Sequence, residues 1–210
     1  MMIVLISPSA GGKDSILNIL SKDGYVKPVI STTSRPMRNG ETQGKEYNFV
    51  TNDEVNNMLN NNEFIEVRKY TVANGETWVY GVSKNSFDIN SDITYGCILD
   101  FNGYKQMKQY YRDNNKEEEI ISFYIDVPLQ ERLQRSLSRE GEMTDEQCLE
   151  VCRRSLDDFK NVVIAKRYVD HIINNSSKNG NVYNAVNSIV DILNEHKLVK
   201  ELLEVNIWIE

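Results

Sequence analysis

The stretch "MIVLISPSAGGKDSILNIL", residues 2–20, carries the strongest fold signal in the chain. Its first five residues are all apolar and predict a strand that is buried on both faces. A turn with two glycines follows, and from Lys13 the apolar residues recur with a helical period until Gly24 ends the pattern. A strand, a glycine turn and a helix in this order predict the first unit of an α/β domain.

Further apolar runs repeat this alternation. The segments "GCILDF", "IISFYIDV" and "YVDHIIN" predict three more buried strands of a parallel sheet with helices packed on either side. Helices are predicted after Pro128, after Thr144 as an N-cap, and from Asn181 onwards. Residues 31–85 break the alternation with short strand candidates and one short helix, so we expect a small lobe inserted in the parallel core.

Composition narrows the function classes. The chain has 24 Lys and Arg against 31 Asp and Glu, a net charge of −7, which argues against a nucleic-acid or anionic-membrane surface. Because no apolar run reaches the roughly 18 residues of a membrane span and the N-terminal segment lacks the features of a secretion signal, we expect a cytoplasmic protein. Cys97, Cys148 and Cys152 lack paired metal-ligand spacing, and we interpret them as buried or idle thiols.

The glycine turn approximates the phosphate-binding pattern G-x-x-x-x-G-K-[ST]. Glycines there let backbone N–H groups approach phosphates, the helix N-terminus adds positive potential, and Lys13 can reach the β and γ oxygens. Ser7 replaces a glycine of the pattern, and Asp14 replaces the hydroxyl that contacts magnesium, although a carboxylate is also an oxygen ligand for that ion. We predict a working ATP-phosphate site, with a purely structural turn as the alternative. The predicted site consists of Ser9, Ala10, Gly11, Gly12, Lys13, Asp14 and Ser15.

A second motif, "STTSRPMRNGETQGKEYNFV", spans residues 31–50. A nucleoside monophosphate carries a dianionic phosphate, on which Arg35 and Arg38 can converge with charge-assisted hydrogen bonds. Tyr47 and Tyr80 can add hydroxyl donors. Taken alone, two arginines in a loop with glycine and proline would more often form a solvated surface pair.

This second motif resembles the signature of guanylate kinases, approximately S-x-T-[TS]-R-x-x-R-x-G-E-x-x-G-x-[DE]-Y-x-F. The matching residues are Ser31, Thr33, Arg35, Arg38, Gly40, Glu41, Gly44, Tyr47 and Phe49. The likeness continues through "NNEFIE" and "YGVS" and covers most of the chain. It implies a P-loop α/β fold with a monophosphate-binding lobe and a helical lid. The implied activity is transfer of the γ-phosphoryl group of ATP to GMP or dGMP, with magnesium.

The resemblance also assigns base-reading residues. Glu66 would accept hydrogen bonds from N1–H and the N2 amino group of guanine, whereas the alternative is an exposed glutamate on a strand edge. Val82 stands where the family has a hydroxyl donor to guanine O6, and Asn102 stands in the second place of an acid pair that begins with Asp100. The implied GMP-binding set is Ser31, Arg35, Arg38, Glu41, Tyr47, Glu66, Tyr80, Val82 and Asp100, and the implied magnesium ligands are Asp14 and Asp100.

Phosphoryl transfer also requires positive charge over the migrating group. The arginine-rich stretch "RLQRSLSREGEMTDEQCLEVCRR" resembles the mobile lid of the family, and we predict Lys13, Arg139 and Arg154 as catalytic, with Arg135 next in order. Arg132 and Arg135 could instead be exposed neighbours on one helix face. The implied layout is one domain, with a core (1–30, 86–134 and 155–210), a lobe (31–85) and a lid (135–154).

The sequence therefore predicts an ATP:GMP phosphotransferase of purine nucleotide metabolism, acting on small molecules as a monomer or homodimer. Two alternatives stay open: a deoxynucleoside monophosphate kinase of altered base specificity, and a guanylate-kinase-like module that binds proteins and has lost catalysis. Lys13 and the lid arginines favour an enzyme. Ser7, Asp14 and Asn102 favour the binding module.

Overall fold

The computed structural model describes residues 1–71, 75–139 and 143–206, without the side chains of residues 139, 160–161 and 202–206. Two compact units are present: Met1–Ile6 with Val26–Ser122, and Ser7–Tyr25 with Phe123–Glu210. The strands are β1 (Met2–Ile6), β2 (Lys27–Pro28), β3 (Thr32–Thr33), β4 (Asn48–Phe49), β5 (Phe64–Thr71), β6 (Thr77–Ser83), β7 (Tyr95–Leu99), β8 (Ile120–Asp126) and β9 (His171–Asn174). The α-helices are α1 (Lys13–Lys22), α2 (Asn52–Asn60), α3 (Phe101–Asp113), α4 (Leu129–Arg139), α5 (Asp145–Tyr168) and α6 (Val182–Asn206).

In the first unit, β7 lies between β1 and β2 and pairs with both in parallel. All five residues of β1 are buried, as the continuous apolar run predicts. Helix α3 packs against β1 and β7. The predicted α/β architecture, parallel strands flanked by helices, is confirmed.

The first unit also contains a four-stranded sheet with the order β4-β3-β6-β5. Its β5 and β6 form an antiparallel pair in which Glu66 lies opposite Val82 and Arg68 opposite Tyr80. Because side chains alternate between the faces of a strand, Glu66, Arg68, Tyr80 and Val82 share one face of this sheet. Helix α3 contacts β5.

In the second unit, β8 and β9 pair in parallel, and α6 packs on both β9 and α1. Helix α1 begins after Gly12, buries Ile16, Leu17 and Leu20 on one face, and is followed by Gly24 with a φ of 80°. Thr144 caps α5 through a reciprocal capping box with Gln147, which confirms the predicted N-cap. Within the described ranges, no helix combines the length and apolar character that a membrane span requires.

Candidate active site

The loop that precedes α1 has an unusual backbone and tight packing. Ala10 and Gly12 have positive φ angles of 59° and 89°. A Cβ atom at position 12 would also lie 2.4 Å from Nδ2 of Asn175, so glycine is required there for two reasons. At position 11, a Cβ atom would lie only 1.8 Å from the hydroxyl oxygen of Ser7. The serine that departs from the phosphate-loop pattern is therefore accommodated by Gly11.

Side chains from other elements hold this loop in place. The Ser9 amide donates to Oδ2 of Asp158 on α5 at 2.7 Å. Nδ2 of Asn175, just after β9, donates to the Gly11 carbonyl at 2.9 Å. The Lys13 ammonium donates to the carbonyls of Ser7 and Pro8, at 2.7 and 3.1 Å. These hydrogen bonds fix the position of the loop from three sides.

A cavity of about 420 Å³ opens over the loop and the first turn of α1. Its volume lies in the range of small-ligand sites, roughly 300–1,000 Å³. The N-terminus of α1 contributes backbone N–H groups and positive potential, which suit a phosphate chain. The cavity is lined by Ala10, Gly11, Gly12, Lys13, Asp14, Ser15, Arg135, Asn175, Ser177, Gly180, Asn181 and Val182.

The predicted transfer arginines take different positions. Arg135 lines the cavity, where its guanidinium donates to the Asn175 carbonyl at 2.8 Å and pairs with Glu131 at 2.7 Å. Arg154 instead pairs with Glu150 on its own helix at 2.8 Å. The side chain of Arg139 lies outside the part of the chain that the structure describes. Among the predicted transfer arginines whose side chains the structure describes, Arg135, the third choice from sequence, lines the cavity.

A buried arginine organises the first unit's polar cluster. Arg35 is 3% exposed, and its Nη2 donates to both carboxylate oxygens of Glu41 at 2.7 and 3.0 Å. Its guanidinium lies 5.6 Å from the ring centre of Tyr47 and 5.5 Å from that of Phe49, within cation–π range. Tyr47 in turn packs edge-to-face on Tyr80, with ring centres 5.7 Å apart. The structure thus brings Arg35 close to the Tyr47 ring, and Tyr47 close to Tyr80, while the joint binding of a phosphate by Arg35, Arg38 and the two tyrosines stays a prediction.

Contacts within this cluster shift the pKa values of Arg35 and Glu41. Burial lowers the pKa of Arg35, but the hydrogen bond to Glu41 and the charges of Tyr80 and Glu41 outweigh it and raise the pKa overall. The hydrogen bond from Arg35 holds the pKa of Glu41 below its usual value. Arg38 contributes its backbone N–H to Glu41 at 2.7 Å, and its side chain is exposed. Glu41 therefore fixes the motif loop, while Arg35 supplies a permanent positive charge.

Glu66 is completely buried and is not the exposed edge glutamate of the alternative interpretation. Its two oxygens accept hydrogen bonds from Nε and Nη2 of Arg68 at 2.9 and 3.0 Å. Burial raises the pKa of Glu66, although the charge and hydrogen bond of Arg68 oppose the rise. Opposite Glu66, Val82 is also fully buried. The two predicted base-reading residues thus adjoin each other, with an arginine on the carboxylate.

Asp100 precedes α3 and accepts hydrogen bonds through both of its carboxylate oxygens. Its Oδ1 accepts from the Gly103 amide at 2.7 Å as the N-cap of the helix, and its Oδ2 accepts from the Tyr70 hydroxyl at 2.5 Å. Each carboxylate oxygen therefore accepts one hydrogen bond from the protein, which orients the carboxylate, and its role as a magnesium ligand stays a prediction. Asp14, by contrast, is exposed in the first turn of α1 and lines the cavity.

Comparison with known proteins bears on this arrangement. The family model described as guanylate kinase matches residues 1–195. The chain belongs to the guanylate kinase family. It is 31% identical over 181 residues to a guanylate kinase of Blochmanniella floridana, covering 84% of this chain and 79% of that protein. It is 27% identical over 199 residues to a guanylate kinase of Clostridium tetani, covering 94% and 86%.

A solved structure supports the fold independently. The crystal structure of guanylate kinase from Anaplasma phagocytophilum matches 98% of this chain and 94% of its own, with a TM-score of 0.67 at 21% identity. At this identity the match shows a shared fold. The guanylate kinase resemblance inferred from residues 31–50 is confirmed at the level of family and fold.

Sequence reasoning missed two residues of this guanylate kinase family member. Asn175 contacts the phosphate loop, yet it comes from a distant part of the chain, and the only sequence signal is its place just after a predicted strand. Arg68 was passed over although it lies two residues from Glu66 in a predicted strand. That spacing puts opposite charges on one strand face and could have identified the pair.

Proposed function

We propose that this protein is an ATP:GMP phosphotransferase, producing ADP and GDP. The buried Arg35 cluster carries the proposal, because a permanent guanidinium charge beside the rings of Tyr47 and Phe49 matches a monophosphate better than a neutral ligand. The cavity over the Lys13 loop matches the phosphate chain of the donor nucleotide. Family membership supports the transfer of a phosphoryl group from ATP to GMP.

In the donor site, backbone N–H groups of the loop and the N-terminus of α1 would hold the ATP phosphates. Lys13 exchanges its carbonyl partners for phosphate oxygens, and Arg135 adds a second positive charge at the cavity wall. Magnesium, when bound with ATP, supplies further neutralisation of the phosphate oxygens. Asp14 is the residue that fits this ion, which needs only one or two carboxylates besides phosphates and water. No group of three or more His, Cys, Asp or Glu side chains in the described ranges forms a metal site by itself.

In the acceptor site, Arg35 and the tyrosines Tyr47 and Tyr80 would hold the GMP phosphate. The attacking phosphate oxygen is already ionised, so the transfer needs no general base. The protein's contribution is then positioning and charge stabilisation, which dominate phosphoryl transfer.

The test is an ADP-release assay with ATP and a panel of ribo- and deoxynucleoside monophosphates. We expect the highest kcat/KM with GMP or dGMP, and Arg35→Met should raise the KM for GMP by at least about tenfold, since a charge-assisted hydrogen bond is lost. Arg112→Met is the matched control, because Arg112 also pairs with a glutamate but is exposed. Absence of activity with every monophosphate would refute the proposal.

A further inference from the structure

Arg68 occupies the carboxylate that guanine would need. A guanine base has two adjacent donors, N1–H and the N2 amino group, and both must reach the oxygens of Glu66. In this structure those oxygens are engaged by the two-pronged guanidinium of Arg68, at 2.9 and 3.0 Å. A guanidinium donates two parallel hydrogen bonds to a carboxylate, as the N1–H and N2 amino group of guanine would do.

The first turn of α3 packs closely on one side of the Glu66 carboxylate. A Cβ atom at position 103 would lie 2.8 Å from Oε2 of Glu66, so the first turn of α3 closes that side and depends on Gly103. The Glu66 side chain has no exposed area, and Arg68 is only 11% exposed. The Arg68 guanidinium therefore covers the two oxygens that a guanine base would have to reach.

The environment of the Arg68–Glu66 pair also keeps Arg68 positively charged. Burial lowers the pKa of Arg68, but the negative charges of Glu66 and Asp100 outweigh this and raise it overall. Arg68 thus stays charged at any pH at which the enzyme works. A neutral base edge must displace a charged partner, and charged hydrogen bonds are the stronger ones.

We propose that Arg68 is a specificity-determining residue of the acceptor site, which covers the base-reading carboxylate of Glu66 and must be displaced by guanine. The inference rests on the proposed function. It implies that this chain binds GMP weakly and separates guanine from other bases poorly compared with a site in which Glu66 is open. The acceptor phosphate, held by Arg35, then provides most of the monophosphate affinity.

The experiment compares wild type, Arg68→Met and Lys69→Met. Methionine keeps much of the apolar stem of Arg68 and removes the fork, whereas Lys69 is an exposed cation on the same strand whose loss is the control. In Arg68→Met we expect the KM for GMP to fall about tenfold, as one charged hydrogen-bond partner no longer competes. The KM for ATP should stay unchanged, and the preference for GMP over other monophosphates should rise. An unchanged or higher KM for GMP in a folded Arg68→Met protein would overturn the proposal.

Adding Glu66→Gln to both backgrounds separates base reading from a structural role. In the wild-type background, where Arg68 covers the carboxylate, Glu66→Gln should change the KM for GMP little. In the Arg68→Met background, Glu66→Gln should raise the KM for GMP strongly. Equal effects in the two backgrounds would contradict displacement. Arg68→Met could fail to fold, because it leaves Glu66 buried and unpaired. In that case Arg68→Lys is the test, since lysine keeps the charge but cannot donate two parallel hydrogen bonds. An unchanged KM for GMP in Arg68→Lys would refute the proposal.

Failure of the proposed function gives a different result. If the wild type phosphorylates no monophosphate, calorimetric titration with GMP alone still tests Arg68. Tighter GMP binding by Arg68→Met than by wild type supports the displacement, and equal or weaker binding refutes it.

Discussion

The hydroxyl oxygen of Ser7 fills the space that a side chain at Gly11 would require, 1.8 Å from the position of a Cβ atom. This oxygen is buried without a hydrogen-bond partner among the described residues. The two positions are therefore sterically coupled. The serine that breaks the phosphate-loop pattern is tolerated because position 11 carries no side chain.

This coupling predicts a compensating pair of substitutions. Gly11→Ala should distort the loop and raise the KM for ATP by about tenfold or more, because an overpacked site costs roughly 1–3 kcal/mol. Ser7→Gly combined with Gly11→Ala should restore the wild-type value, since the space is exchanged between the two residues. The measurement is steady-state kinetics with ATP varied, alongside thermal unfolding. A Gly11→Ala protein with unchanged ATP kinetics would contradict the coupling.

The family could be predicted from sequence because its signature is local. Residues 31–50 form a contiguous motif whose spacing is visible without the fold. The buried strand β1 and helix α1 were also predictable, since each has a distinct apolar period. Helix α3 was missed because Asn102 and Gly103 stand at its start and are typical of turns, whereas here Asp100 caps them into a helix.

The site contacts that sequence reasoning missed depend on pairing and tertiary structure. The burial of Glu66 follows from the position of β5 against α3, which no local pattern reveals, whereas the spacing of Glu66 and Arg68 in one strand could have indicated their pairing. Asn175 reaches Gly11 across 164 positions of the chain. The boundaries of lobe, lid and core remain predictions.

Lys13→Ala should abolish most phosphoryl transfer while leaving the fold intact. Its ammonium is the positive charge of the loop, and loss of one such transition-state contact costs on the order of 10²–10³ in kcat. The free energy of unfolding should fall by no more than about 1.5–3 kcal/mol, because the carbonyls of Ser7 and Pro8 lose a charged hydrogen-bond donor while the core is unchanged. Lys22→Ala, at the other end of α1, is the control and should retain activity. Near wild-type turnover in Lys13→Ala would show that the loop is not the phosphate site.

Asp14 is expected to set the magnesium dependence. As a carboxylate in the ion's coordination shell, it should make activity depend more steeply on magnesium, and Asp14→Ser should keep or raise turnover while flattening that dependence. The measurement is a magnesium titration of ADP release at saturating nucleotides. Asp23→Ser, at the C-terminal end of the same helix, serves as the control. Complete loss of activity in a folded Asp14→Ser protein would show that Asp14 has another, indispensable role.

Glu150 should contribute acid-sensitive stability. Hydrogen bonds from Arg153, and then from Arg154, lower its pKa to about 2. Because the pKa in the folded state is lower than in the unfolded state, the contribution is complete above pH 4.5 or so and is lost as the pH falls towards 2. Because the Glu150 side chain is 29% exposed, its contribution to the free energy of unfolding should be about 1 kcal/mol.

Urea unfolding of Glu150→Gln between neutral and acid pH tests this. The difference from wild type should be largest near neutral pH and vanish near pH 2. Glu195→Gln, an exposed glutamate on α6, is the control and should show a smaller difference. A Glu150→Gln difference that does not vary with pH would contradict the assignment.

Val82 is expected to limit recognition of guanine O6. It is completely buried opposite Glu66, where the family resemblance places a hydroxyl donor. Val82→Thr keeps the shape of the side chain and adds the hydroxyl, so the KM for GMP should fall about fivefold to tenfold, worth on the order of 1 kcal/mol. Without GMP, the buried hydroxyl should instead lower the free energy of unfolding by about 1–3 kcal/mol.

Val79→Thr is the matched control, because Val79 is also buried in β6 but faces the opposite side of the sheet. Thermal unfolding with and without GMP, together with kinetics, distinguishes the outcomes: equal GMP effects in both variants, or none in Val82→Thr, would rule out a base contact at position 82.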